Sequence, residues 1–263
     1  MINYDDKISI KLHYPTVPVV FLHAFPVNRR MWQPQMDFLK KLGVGYVAWD
    51  YPGFGKSKII KETMGIRDYS EYAYKILQEI GIRKAIFVGS SMGGYVALSL
   101  FREHPELFMG LLLANTRAYA DDEEIRRRRY EIIEDLKVKN SVLELIEMHI
   151  QYFLTEETRG KRIELVKRLM EMMREATVEG VIQAQGAMER RLDSNDLLKR
   201  MKFPVTILSG DRDTLSPPTV AKDMVEMIPD ATLKIVKNAA HLSNLERPKE
   251  FNRALKELID KCH

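Results

Sequence analysis

The chain has 263 residues, of which 45% are hydrophobic and 30% charged, the balance of a globular protein large enough to bury a sizeable core. Its formal charge of +4 is spread through mixed acidic and basic runs, which argues against nucleic acid or an anionic membrane surface as a partner. The lone cysteine, Cys262, has no partner for an internal disulfide, and the start Met1-Ile2-Asn3-Tyr4-Asp5-Asp6-Lys7 lacks the basic and apolar segments of a signal peptide. With no apolar run near the ~18 residues of a membrane span, a cytoplasmic location is expected.

In chain order, Lys7 to His13 alternates Ile8, Ile10 and Leu12 with Lys7, Ser9 and Lys11, the period of a half-buried edge strand. The runs Pro18 to His23, Val44 to Trp49, Ala85 to Val88, Leu111 to Ala114 and Val205 to Leu208 are instead continuously apolar. Such strands have both faces covered, which predicts a parallel sheet with helices on each side. Helical spacing recurs between them at Met31 to Lys41, Tyr69 to Ile80, Met92 to His104, Pro218 to Met227 and Pro248 to Lys261, so the pattern predicts an α/β doubly wound sheet. From about Ala118 to Arg200 the alternation stops: there is no strand pattern and no proline, and apolar residues recur at helical spacing, as in Leu143, Ile146 and Ile150. About four helices are expected there, with Arg126 to Arg129 on a solvated face.

The chemistry is concentrated at Gly89-Ser90-Ser91-Met92-Gly93, a GxSxG sequence between the apolar run ending at Val88 and the helical stretch that follows. A strand-to-helix turn this sharp needs glycines around the serine and lifts its hydroxyl above the sheet. A serine hydroxyl is nearly inert at neutral pH, so it requires a base and a carboxylate to orient that base. Of six histidines, His241 is the strongest candidate, in a loop after Thr232 to Val236 and before the last helix. His13, His104, His149 and His263 have unremarkable surroundings. Asp211 and Asp213, in the turn after Leu208, are the candidate acids. Asp50 to Ser57 ends in Gly-Lys-Ser, yet a phosphate-binding loop needs glycine where Asp50 stands. No GxGxxG, HExxH or cysteine cluster occurs, so neither cofactor nor metal is implied.

With Ser91, an acid and His241 in that chain order, the sequence resembles the α/β-hydrolase superfamily over nearly its whole length. The resemblance implies an α/β-hydrolase fold, with a core of residues 1–117 and 201–263 and a helical cap of residues 118–200 over the nucleophile. Gly210 to Asp213 resembles the family's GxxD pattern and places Asp213 in the acid position, with Asp211 its near rival. Asn238 to Pro248 resembles the family's catalytic histidine loop, and His23-Ala24-Phe25-Pro26 its HGxP loop, with alanine for the usual glycine. By that resemblance the backbone N–H groups of Phe25 and Met92 form the oxyanion hole, and His23 holds the loop. Asp50-Tyr51-Pro52-Gly53-Phe54-Gly55-Lys56-Ser57 resembles the family's DxPGxGxS structural turn.

Trp32, soon after that loop, and Tyr119 are expected to line the substrate pocket, with Met148, Met170, Met172 and Met173 as further cap candidates that more simply pack. Leu113-Ala114-Asn115-Thr116 adds to a likeness to small carboxylesterases and oxoadipate enol-lactonases. The function implied is hydrolysis of a small ester or lactone through an acyl-enzyme. Carbon–carbon bond hydrolysis of ring-cleavage products and cofactor-free perhydrolysis share this residue set, and a ligand receptor of the same fold is the non-catalytic alternative.

Overall fold

A computed structural model describes residues 8–12 and 16–262; Lys7, His13 and His263 lie outside them. Among the described residues, seven strands form one sheet: β1 (Ile8–Lys11), β2 (Val19–Leu22), β3 (Tyr46–Trp49), β4 (Ala85–Ser90), β5 (Phe108–Ala114), β6 (Val205–Gly210) and β7 (Thr232–Val236). Their order is β1-β3-β2-β4-β5-β6-β7, and every pairing is parallel except that of β1 with β3. Ile8 and Leu12 pack on the core, but Ile10 stays 46% exposed. A strand at the sheet edge has a neighbour on one side only, so the alternation read from its sequence is only partly buried.

The apolar strands are buried on both faces. Val20, Leu22, Ala85 and Phe87 face one hydrophobic cluster, while Val19, Phe21, Ile86 and Val88 face the other, the two-residue alternation of a pleated sheet. The first cluster is completed by α2 (Ile66–Glu79), α3 (Met92–Glu103) and α10 (Pro218–Met227), and the second by α1 (Gln33–Leu42) and α12 (Pro248–Lys261), which follows the single turn of α11 (Ser243–Glu246). On α12 the buried residues Phe251, Ala254, Leu255, Leu258 and Ile259 form one stripe at helical spacing. Such burial is worth roughly 1.5–3 kcal/mol for each large side chain.

Six helices lie between β5 and β6: α4 (Glu123–Lys139), α5 (Leu143–Phe153), α6 (Glu156–Lys161), α7 (Ile163–Arg174), α8 (Val178–Glu189) and α9 (Asn195–Leu198). The sequence pattern suggested about four, because α6 and α9, with six and four residues, are too short to display a helical period. Three of the six begin on a side-chain cap: Asp122 accepts from the Ile125 N–H, Thr155 from Thr158 and Thr177 from Gly180.

The sheet order places the reactive loops. After β3 the chain crosses over β2 to form β4, so β2 and β4 are neighbours, paired as far as Leu22 with Gly89. The loops leaving their carboxyl ends therefore diverge at a switch point, where open α/β sheets bind ligands. No helix among the described residues is long and apolar enough to cross a membrane.

Candidate active site

Ser91 joins β4 to α3 with φ 52° and ψ −118°, a left-handed conformation that costs a side-chain-bearing residue of the order of 1–3 kcal/mol. Close approach explains the flanking glycines. A Cβ at Gly89 would sit 2.5 Å from the Gly93 carbonyl oxygen, and one at Gly93 would sit 2.0 Å from that of Leu22. Both are impossible contacts. The Ser91 N–H donates to the Ala114 carbonyl at 3.0 Å, and the Thr116 hydroxyl donates to the Ser91 carbonyl at 2.8 Å. Met92 opens α3, so its N–H has no carbonyl one turn behind it.

Across β5, Asp213 lies in the turn after β6 and His241 in the loop after β7. His241 Nδ1 is 3.0 Å from Asp213 Oδ1 and 2.9 Å from Oδ2, with both residues buried. The Leu215 and Ser216 amides donate to Asp213 Oδ1 at 2.9 and 3.0 Å, and Asn115 Nδ2 donates to Oδ2 at 2.9 Å. Burial alone would raise the Asp213 pKa, but the adjoining His241 ring and these donors outweigh it and hold the carboxyl below its usual range. Asp211 turns elsewhere: its carboxylate accepts from the Ala239 N–H at 3.2 Å and braces the histidine loop.

His23 is fully buried, with Nδ1 2.8 Å from the Ala24 carbonyl and Nε2 accepting from the Tyr51 N–H at 3.0 Å. A carbonyl only accepts, so Nδ1 carries the proton. Burial lowers the His23 pKa to about 3, and as a neutral ring it ties the loop of Phe25 to the Asp50–Ser57 turn.

Ser91 and His241 open onto a common cavity of about 550 Å³. Phe25 lines it from the loop after β2, Tyr119 from the chain leaving β5, and Met148, His149, Phe153 and Met188 from the inserted helices. The Phe153 ring stacks on His241 with centroids 5.6 Å apart. Its carbonyl accepts the Leu242 N–H at 3.0 Å. Buried Glu246 accepts from the Thr155 N–H and hydroxyl, both at 2.8 Å, and from the Ala240 N–H, so the insert is bonded directly to the histidine loop. Among the described residues no group of three or more His, Cys, Asp or Glu side chains is placed to hold a metal ion.

Residues 17–248 match the family profile described as alpha/beta hydrolase fold. The chain belongs to that family. It is 27% identical over 247 residues to 3-oxoadipate enol-lactonase 1 of Acinetobacter baylyi, covering 93% of this chain and 90% of that one. Among solved structures it is similar to a thermophilic esterase from Thermogutta terrifontis with malate bound, at 29% identity and TM-score 0.91 over 97% of this chain and 94% of that chain. The enol-lactonase of Burkholderia xenovorans LB400 shares the fold, at 20% identity and TM-score 0.88 over 96% and 95% of the two chains.

Within this α/β-hydrolase, one pocket residue expected from the sequence lies elsewhere. Trp32 is fully buried and does not line the cavity; its ring stacks on Phe21 at 5.0 Å and packs against Phe251. The short helix Arg29–Trp32 turns it inward between the sheet and α12, so proximity in sequence to the Phe25 loop does not carry over into space. Of the methionines, Met148 lines the cavity while Met172 and Met173 are core. Arg126, Arg127 and Arg128 are exposed, as expected of a solvated face. Arg129 departs from that expectation: it turns in, donating to Asp121 at 2.6 Å and to Gln185 Oε1 at 2.7 Å.

Three residues with a clear place in the site are given no role there by the sequence: Asn115, which enters only as part of the family likeness, Glu246, and His149, whose surroundings look unremarkable. His149 lies against Phe25 and Phe153, with Nδ1 2.8 Å from the Leu145 carbonyl. Burial lowers its pKa to about 4, aided by the nearby His241 and Arg129.

Proposed function

We propose that this α/β-hydrolase cleaves small carboxylic esters or lactones, with Ser91 as nucleophile, His241 as general base and Asp213 as the orienting carboxylate. The observation that carries the reading is the hydrogen bond from His241, which lines the cavity that Ser91 enters, to the buried Asp213 behind it. The similarity to an esterase and to enol-lactonases fits it.

An ionised Asp213 only accepts hydrogen bonds, so its contacts with His241 take up the Nδ1–H and leave Nε2 a lone pair. Nε2 takes the Ser91 proton as Oγ attacks the substrate carbonyl, and negative charge moves onto the carbonyl oxygen. The N–H groups of Phe25 and Met92 are the proposed donors to that oxyanion. Collapse breaks the ester bond, and the leaving alkoxide takes the proton from Nε2. Water then attacks the acyl-enzyme with His241 again as base, releasing the acid and restoring the Ser91 hydroxyl. In a lactone the leaving hydroxyl stays attached to the acyl group.

The test is labelling with a fluorophosphonate together with turnover of para-nitrophenyl acetate. Wild-type protein should react at Ser91 and turn over ester, and Ser91→Ala should lose both. Retention by that variant of more than about a tenth of the rate would overturn the assignment, because loss of a nucleophile in such a set costs many orders of magnitude.

A further inference from the structure

The cavity at Ser91 has an uneven charge. Its wall holds three arginines, Arg117, Arg128 and Arg129, and no aspartate or glutamate. Two of the three are paired outside the wall, Arg128 with Glu124 and Arg129 with Asp121. Asp121 is itself shared, since Arg191 also meets it at 2.7 Å. Among the described residues, Arg117 forms no ion pair.

Arg117 follows Asn115 and Thr116 on the loop leaving β5, between the strand of Ser91 and the strand of Asp213. One of its N–H groups, on Nη2, donates to the Leu215 carbonyl, and its guanidinium lies over the Tyr119 ring at 5.3 Å from the centroid. Its Nε is buried with no hydrogen-bond partner. A guanidinium has five N–H donors in a rigid fork and keeps its charge at any physiological pH. Burial opposes that charge, while Tyr95, Tyr119, Asp121 and Asp213 act in its favour and leave its pKa raised. None of these four gives it a carboxylate contact. A fixed, partly buried cation facing a substrate cavity with most of its donors unused is the complement of a planar anion.

We propose that Arg117 is a specificity-determining residue that binds a second carboxylate on the substrate, so that the preferred substrates are half-esters or lactones of dicarboxylic acids. This deepens the ester-hydrolase reading and rests on it. Ser91 attacks one acyl carbon while the free carboxylate at the other end of the acyl chain lies on the Arg117 fork.

The test compares mono-para-nitrophenyl glutarate with para-nitrophenyl pentanoate, which match in length and leaving group but differ in the terminal carboxylate. Wild-type kcat/KM should favour the glutarate ester. Arg117→Gln should lower the glutarate-to-pentanoate ratio by about tenfold or more, the loss of one charge-assisted contact, and Arg117→Lys should recover part of it. Free glutarate should inhibit wild-type pentanoate turnover competitively and its neutral diamide, glutaramide, far less, a comparison that holds even if Arg117→Gln fails to fold. A wild-type ratio at or below one, a ratio unmoved in Arg117→Gln, or equal inhibition by glutarate and glutaramide overturns the subsite while pentanoate turnover leaves the hydrolase standing. If neither ester is cleaved and Ser91 resists the fluorophosphonate, the hydrolase reading falls and the subsite with it.

Discussion

Asn115 Nδ2 donates to Asp213 Oδ2 at 2.9 Å, and the same oxygen meets His241 Nδ1 at 2.9 Å. Asn115 is held in turn, because its Oδ1 accepts from the Ser243 hydroxyl at 2.6 Å and its φ is 50°, a left-handed conformation that asparagine tolerates better than most residues. Strand order produces this contact. β5 lies between β4 and β6, so Asn115, the first residue after β5, sits between Ser91 and Asp213.

Asn115→Ala should therefore lower kcat by about tenfold, the worth of one charge-assisted hydrogen bond, with KM little changed. Steady-state kinetics on protein with wild-type circular dichroism would check the split between kcat and KM. A kcat within twofold of wild type would remove Asn115 from a positioning role.

The two aspartates in the turn after β6 separate cleanly by their partners. Asp213 meets His241, whereas Asp211 accepts from the Ala239 N–H at 3.2 Å. Replacing the orienting carboxylate by its amide in a serine protease costs roughly 10⁴-fold in turnover, and Asp213→Asn should show a loss of that scale on folded protein. Asp211→Asn should mainly lower the urea midpoint. A larger rate loss in Asp211→Asn would reverse the assignment.

Much of this fold was legible in the sequence because its signals are local. Continuous apolar runs such as Val19 to Leu22, short and rich in β-branched and aromatic residues, mark strands covered on both faces, and the Gly89 to Gly93 spacing marks a turn that other residues cannot make. Trp32, Arg129 and Asn115 were not legible for the opposite reason, since each is placed by a partner distant in the chain. Trp32 is fixed by Phe251, Arg129 by Gln185, and Asn115 by Asp213. His149 also gave no signal: its surroundings in the cavity come from Phe25 and His241, far away in sequence.

The buried neutral histidines make stability depend on pH. Unfolded, His23 titrates near its ordinary 6.5, but folded it does so at about 3. Above ~6.5 both states are neutral and nothing changes, while between the two values the unfolded chain takes a proton that the folded chain refuses. Stability therefore falls as pH falls through that window, by about 1.4 kcal/mol per pH unit, and His149 adds to the slope down to about 4. Unfolding free energies from urea titrations at pH 7 and pH 4.5 should differ accordingly, by about 3 kcal/mol from His23 alone. His23→Gln, whose amide can replace both hydrogen bonds without titrating, should be less acid-sensitive by about one proton. An equal slope in both proteins would rule out His23 as the source.

The inserted helices should set which acyl chains fit. Met148 on α5 and Met188 on α8 line the cavity above Ser91, and Met188 is only 3% exposed. Met188→Phe or Met148→Trp removes space that a longer acyl chain would fill, while the loops that carry Ser91, Asp213 and His241 are untouched. Each methylene excluded from an apolar pocket forfeits about 0.8 kcal/mol, roughly fourfold in relative kcat/KM. A series of para-nitrophenyl esters from acetate to octanoate should thus shift its optimum towards shorter chains in both variants, with acetate turnover falling least. An unchanged optimum in both, on proteins of wild-type stability, would mean that the acyl chain is held by the sheet-end loops and not by the insert.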